Sequence, residues 1–306
     1  MRLKISVLLA FLSSISFSQT ASSDTTYWRI GGASSLTFSQ VSLTNWAAGG
    51  QNSVAINSNF GIFANRVKGR GKWENSMDLA YGLIKQGSAG FSKSDDLINL
   101  VTKYSFQVRK DNGKWFYSAL MDFRSQFYEG FDAETGLVKI SDFMAPGYLT
   151  IGLGISYDPS DKLSFTYQPL TGKFTFVRDQ DLANQGAYGV EPAVFAGDGV
   201  TVLTPGKKSR AEFGSFFRAK YKNDIFESKL ELFTGYTQSV GEVDVNWQNA
   251  LILQLTKVLS TNVFTQLIYD EDILIAGDDG ETKPRVQFKS VLGVGLTYKF
   301  GKKRQQ

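Results

Sequence analysis

Apolar and polar residues alternate along most of this chain with a period of two. Val286, Phe288, Leu292, Val294, Leu296, Tyr298 and Phe300 fall on one face, and Gln287, Lys289, Gly293, Gly295, Thr297 and Lys299 on the other. Val54, Ile56, Phe60, Ile62 and Ala64 oppose Asn57, Asn59, Gly61 and Asn65 in the same way. Leu149, Ile151, Leu153, Ile155 and Tyr157 oppose Thr150, Gly152, Gly154 and Ser156. Successive side chains of a strand point to opposite faces, so each segment has one apolar and one polar side. Twelve strands are predicted, at 34–42, 53–66, 70–85, 96–109, 114–129, 147–158, 161–169, 210–222, 225–238, 245–258, 261–271 and 286–300. Several reach or pass the roughly 9–11 residues that cross a membrane at a tilt.

The predicted connections sort by length. Those after even-numbered strands are short, at 67–69, 110–113, 159–160, 223–224 and 259–260. Those after odd-numbered strands are mostly longer, at 43–52, 86–95, 130–146, 170–209, 239–244 and 272–285. This sorting predicts an all-β fold: a transmembrane antiparallel up-and-down β-barrel of about 12 strands, with short periplasmic turns and long extracellular loops. Lipid leaves no partner for an open sheet edge, so the first and last strands must pair.

Alternation alone fits a soluble barrel as well as a membrane barrel. Three features choose the membrane. Aromatics of the apolar face cluster beside the short turns, namely Trp73, Trp115, Tyr157, Tyr221, Phe226, Tyr298 and Phe300, which predicts an interfacial girdle. The opposite face is dense in glycine and charge, and it predicts a lumen lined by Glu74, Asp78, Lys103, Asp122, Arg124, Glu212, Arg218, Lys220, Glu227, Lys229, Glu231 and Lys289. Both signs are present, so strong ion selectivity is not expected. Finally, the chain closes on an alternating strand ending at Phe300, the kind of C-terminal strand that barrel-insertion machinery reads, although the tail 301–306 runs past that aromatic.

Composition narrows the chemistry. Among 306 residues there is no cysteine and no histidine. That removes disulfides, thiolate ligands, cysteine nucleophiles and an anchor on an N-terminal cysteine, together with every mechanism that needs an imidazole. Residues 1–18 read as a cleaved signal peptide. Arg2 and Lys4 form its basic start, Ile5 to Leu12 its apolar run, and Ser16-Phe17-Ser18 its cleavage site. The remaining 19–306 is then one outer-membrane domain. Loss of Arg2 and Lys4 lowers the formal charge from +4 to +2, too little to argue for nucleic acid.

The remaining motifs weigh toward structure. Gly152-x-Gly154 and Gly293-x-Gly295 open no helix, so they are strand glycines rather than dinucleotide fingerprints. In the loop Asn45 to Ser53, the pair Gly49-Gly50 suits a hairpin turn, and Trp46 is read as a packing anchor ahead of a ligand platform. Asp270-Glu271-Asp272 with Asp278-Asp279 and Glu281 gathers carboxylates in one loop, but the spacing matches no calcium loop, so no metal is assigned. Glu74 and Asp78 are read as ion-pair partners of lumen cations such as Lys103, Arg124 and Arg218 rather than as an acid–base pair.

Two of these stretches carry a family likeness. One is Asn45-Trp46-Ala47-Ala48-Gly49-Gly50-Gln51-Asn52-Ser53. The other is Pro169-Leu170-Thr171-Gly172-Lys173 with Thr175 and Val177, followed by Asp181-Leu182-Ala183 and Gly186-Ala187-Tyr188-Gly189-Val190. With them the chain resembles a Bacteroidota outer-membrane β-barrel family known as a domain of unknown function, of the DUF3078 type. The resemblance implies location and fold, and transfers no catalytic residue and no cofactor.

The second motif falls in the longest predicted loop, 170–209. Phe174, Phe176, Val177, Val190, Val194, Phe195, Val200, Val202 and Leu203 make it too apolar for plain disorder, so it is expected to fold into or over the barrel mouth. The leading functional expectation is passive passage or binding of a small solute by a barrel seated in outer-membrane lipid. The first rival is a structural or adhesive barrel whose loops bind a partner protein or glycan. A histidine-free enzyme is the remote rival, and no enzymatic activity is expected.

Overall fold

A computed structural model of the chain describes residues 27–43, 51–110, 113–132, 136–237, 241–276 and 281–301. The signal-peptide assignment, Trp46 with Gly49-Gly50, Asp278-Asp279 and the last five residues lie outside the described residues. Twelve strands close into one antiparallel barrel. They are β1 (Trp28–Val41), β2 (Ser53–Lys68), β3 (Gly71–Gln86), β4 (Phe91–Gln107), β5 (Trp115–Ser125) and β6 (Gly147–Ser160). They continue as β7 (Leu163–Phe176), β8 (Ser209–Lys222), β9 (Phe226–Gly235), β10 (Asp244–Gln254), β11 (Leu259–Tyr269) and β12 (Gln287–Gly301). Each strand pairs with its sequence neighbours, and β1 closes on β12 with Leu36 opposite Leu296.

The barrel is inside out relative to a water-soluble one. On β12, Phe288 and Leu292 are 66% and 71% exposed, while Thr297 on the other face is 2% exposed. The most buried side chains of the wall are mainly polar, including Ser105, Ser156, Thr166, Gln168, Thr171 and Ser260. Such a surface is stable only where the outer solvent is itself apolar. Polar groups on the outer face satisfy one another, as where Trp73 Nε1 donates to Thr102 Oγ1 at 2.8 Å and Trp247 Nε1 to Ser228 Oγ at 3.1 Å.

Outer aromatics stand at both ends of the wall, with Phe213 on Tyr236 at 5.5 Å toward the long loops and a larger set at the short-turn end. Trp115 packs on Tyr157 at 4.6 Å, Tyr221 on Phe226 at 6.3 Å and Tyr298 on Phe300 at 6.4 Å between ring centres. Trp73 pairs with Trp28 at 5.6 Å. Trp28 belongs to β1, which begins six residues before its predicted start at 34. Tight turns join β2 to β3 and β6 to β7, at 69–70 and 161–162.

Two further boundaries differ from the prediction in ways that move the loops. The connection expected at 86–95 is a tight turn at 87–90, because Phe91 pairs back on Lys85 and a bulge at Gly82/Leu83 absorbs one extra residue of β4. More consequentially, β7 does not stop at 169 but runs to Phe176. Pro169 sits where the β6–β7 register shifts, and a bulge tolerates a residue that cannot donate to the ladder. Leu170 to Phe176 therefore belongs to the wall, and the longest loop is 177–208. The glycines of β6 make this irregularity fit. A Cβ on Gly154 would lie 2.0 Å from Tyr167 O, and one on Gly152 would lie 2.3 Å from Gln168 Oε1.

Candidate functional site

Register settles which side chains point inward. Glu74 and Asp78 on β3 lie opposite Lys103 and Asn99 on β4, and Lys103 opposite Leu120 on β5. Asp122 and Arg124 follow Leu120 at period two, Glu212 lies opposite Lys173, and Arg218 lies opposite Glu231. Lys220 faces Lys229, Glu227 faces Lys222, and Lys289 faces Gln266. All of these share the face opposite the exposed apolar positions of their strands.

At the centre of the lumen the charges form one connected network. Arg218 Nε donates to Glu231 Oε1 at 2.8 Å, and Arg218 Nη2 donates to Asp122 Oδ2 at 2.5 Å. Arg124 Nε donates to Asp122 Oδ1 at 3.1 Å, and Arg124 Nη2 donates to Glu231. Asn246 Nδ2 donates to Glu231 Oε2 at 3.1 Å, and Lys229 stands 3.6 Å from the same carboxylate. Arg124 is on β5 and Glu231 on β9, four strands apart, so this contact crosses the lumen instead of running along the wall. Asp122 and Glu231 are 4% and 3% exposed, and burial at that level is sustained by bidentate partners of opposite sign. Leu120, Phe216 and Phe233, with Val101, add an apolar cluster inside the same sector.

A second charged layer lies near the long-loop end. Lys173 Nζ is 2.5 Å from Asp244, 3.3 Å from Asp270 and 3.7 Å from Glu212. Arg210 reaches Glu212 at 3.1 Å and Asp272 at 2.6 Å, and its Nη1 donates to Gly189 O at 3.5 Å. The wall is thereby tied to the loop 177–208 and to the acidic stretch after β11. Asp270 and Asp272 are engaged by Lys173 and Arg210, and Glu271 accepts from Tyr269 Oη. At the other end Glu74 pairs with Lys72 at 3.1 Å and Lys103 at 3.4 Å, and Lys72 with Asp158 at 3.1 Å. Glu227 holds Lys220 at 2.8 Å and Lys222 at 2.5 Å.

Two expectations about pairing change. Arg124 and Arg218 serve Asp122 and Glu231 rather than the carboxylates of β3. Asp78 has no ion pair among the described residues and stays accessible in the lumen, in the field of Lys229, Lys220 and Lys222 across from it. The sequence reading also missed Lys173, Arg210, Lys72, Asp95, Asp158 and Asp244. Lys173 was findable, because Thr171, Lys173 and Thr175 continue the inward alternation beyond Pro169.

The long loop is built, not loose. It carries helix α1 (Gln180–Asn184), a single 3-10 turn (Ala187–Gly189) and a small hairpin at 194–195 and 202–204. Val177, Leu182, Ala183 and Val190 bury against Ala145 from the 126–146 loop, with Ala187 and Tyr188 packed on them. Asp179 caps α1 by accepting from the amides of Asp181 at 2.9 Å and Leu182 at 3.0 Å, and it also binds Lys139. Burial raises the Asp179 carboxyl, but Lys139 and those amides outweigh it and hold it below the usual range. Burial pushes the Tyr188 phenol up, and its hydroxyl donates to Ile140 O at 2.5 Å. Val194, Val200 and Leu203 of the hairpin, and Leu137 and Val138 of the neighbouring loop, remain exposed.

Residues 38–131 match the family described as "Protein of unknown function (DUF3078)". The likeness noted in the sequence is thus shown over that segment, which includes the first of its two motifs. No curated protein matches the chain. Among solved structures, the COG4313 outer membrane channel from Pseudomonas putida F1 aligns over 92% of this chain and 99% of its own, at 9% identity and a TM-score of 0.39. The NanC porin aligns over 88% of this chain and 100% of its own, at 10% identity and a TM-score of 0.34. The translocator domain of the autotransporter NalP from Neisseria meningitidis aligns over 99% of this chain and 90% of its own, at 11% identity and a TM-score of 0.24. These distant likenesses are of barrel architecture only, and nothing below rests on them.

Proposed function

We propose that this chain is an exported outer-membrane protein whose lumen gives passive passage or binding to a small solute, with the loop 177–208 narrowing its outer mouth. The observation that carries this reading is the pairing of an exposed apolar outer face with inward side chains that water still reaches, Asn59 and Asp78 among them. A barrel built only to anchor loops has no need to keep water-accessible polar groups inside. Residues 1–18 would direct export, and the strand ending at Phe300 would be read by barrel-insertion machinery. The charged groups at the centre of the lumen serve packing rather than catalysis in this reading, because they are saturated by one another.

Planar-bilayer recording of the detergent-folded protein tests this. Steady, discrete conductance steps are expected. Silence from protein whose circular dichroism is β-type would contradict it. Deleting 178–205 should raise the step size, since Arg210 and Asp272 at the mouth lose their cover at Gly189. An unchanged step would mean that the loop does not narrow the path. One observation favours the second reading, a barrel whose loops bind a partner protein or glycan. Both the hairpin and the 126–146 loop carry exposed apolar residues, Val200 and Leu203 on one and Leu137 and Val138 on the other. Silence in the bilayer would move weight to it.

A further inference from the structure

The accessible part of the lumen is off centre. Inward side chains near the middle of β4 to β9 are buried by their own packing, as Ser105, Leu120, Asp122, Thr166 and Glu231 show, while Lys220 toward the short turns stays open to solvent. On β10 to β12 and β1 to β3 the inward positions that are buried carry only small side chains, such as Gly31, Thr37, Ala80 and Ser260. The larger ones there include the carboxamides Asn57, Asn59, Asn246, Gln248, Asn262 and Gln266, which keep contact with solvent and are interspersed with apolar side chains such as Phe63, Phe264 and Val291. They form one side of the lumen, because β12 and β1 join these two groups of strands in the closed sheet.

The six carboxamides share one chemistry. Each carboxamide has two donors and an acceptor with two lone pairs. The contacts they make among themselves use up only part of that capacity. Gln266 Nε2 and Gln248 Nε2 donate to Asn246 Oδ1 at 3.0 and 3.4 Å, leaving their own carbonyl oxygens. Asn57 Oδ1 accepts from Ser94 at 3.3 Å and Asn262 Oδ1 from Ser260 at 3.2 Å, leaving their amide groups. The Asn59 side chain has no hydrogen-bond partner among the described residues. Charge on this side is confined to Asp78, to the pair Lys289–Asp95 at 2.6 Å, and to groups toward the strand ends such as Lys72 and Glu74.

We infer that the lumen is a lane for uncharged, polyhydroxylated solutes of the sugar class. Free donors and acceptors interspersed on one wall match hydroxyl groups, each of which donates and accepts. A carboxylate would find no free counter-charge along that wall, because Lys289 is held by Asp95, the cations of the facing wall are already paired, and the lone Asp78 would repel it. The inference rests on the passage reading and sharpens it.

Entry of radiolabelled glucose, gluconate and glucosamine into proteoliposomes, with counter-ions balanced across the membrane, separates the two claims. Glucose should enter about tenfold faster than gluconate, the ratio set by a penalty of about 1.4 kcal/mol on the negative charge. The double variant Asn59→Asp with Gln266→Glu should raise the entry of glucosamine relative to glucose without loss of the folded barrel. Equal rates for glucose and gluconate, or a variant that leaves the ratio of glucosamine to glucose unchanged, would overturn the sugar lane while leaving passage intact. Conductance without entry of glucose would do the same. Absence of both conductance and entry would overturn both.

Discussion

Glu231 is the residue on which the centre of the lumen turns. It accepts from Arg124, Arg218 and Asn246 and is 3% exposed. Removing one partner of a buried ion cluster leaves the others charged and unmatched, which costs about 3–5 kcal/mol. Glu231→Ala should lower the urea-unfolding stability of the micelle-bound barrel, followed by tryptophan fluorescence, by about that amount. A shift below about 1 kcal/mol, the size typical of a surface pair, would show that the network is solvated. At the mouth, Asp179 gives a pH signature of opposite visibility. Its folded pKa is depressed, so its support for α1 is complete above the unfolded value near about 3.9 and is lost as pH falls through the lower folded value. Hydrogen exchange across 180–190, corrected for the intrinsic rate, should lose protection in acid. In Asp179→Asn, which keeps a capping oxygen but does not titrate, that acid-dependent loss should shrink. Equal acid sensitivity of the two proteins would assign the loop's order to other groups.

At the scale of elements, period-two alternation made every barrel strand legible, because one face meets water and the other meets lipid over its whole length. What failed were the places where sequence rules for strand ends compete with tertiary context. Pro169 reads as a terminator, yet the register shift between β6 and β7 absorbs it, and the wall continues through Lys173 to Phe176. Reading it as an end hid Lys173, and with it the outer charged layer. Gly87 to Gly90 reads as part of a long loop, yet it is only the turn between β3 and β4. The internal structure of 177–208 was legible only as apolar content. Nothing local in Val177 or Val190 says that both will meet Ala145 from another loop. The inward register of the charged residues followed directly from alternation, but their partners did not. Arg124 meets Glu231 across four strands, a separation that no pattern along the chain encodes.

At the scale of the whole molecule, two solvents shape the protein. Lipid selects the outer face, and inside, the side from β10 round to β3 keeps its carboxamides open to solvent, while salt bridges and an apolar cluster pack the centre of the other side. The absence of cysteine makes this arrangement directly measurable, since single cysteines can be placed without any background thiol. The decisive measurement is the labelling rate of Asn59→Cys, Asp78→Cys, Ser105→Cys, Ser156→Cys and Leu292→Cys in proteoliposomes by an uncharged, hydrophilic, membrane-impermeant thiol reagent. The account predicts fast labelling at 59 and 78 and protection at 105, 156 and 292, with 292 alone becoming reactive toward a lipid-soluble maleimide. Protection at 59 and 78, or labelling of 105 and 156 at the same rate as 59, would contradict an off-centre water lane inside a lipid-facing barrel.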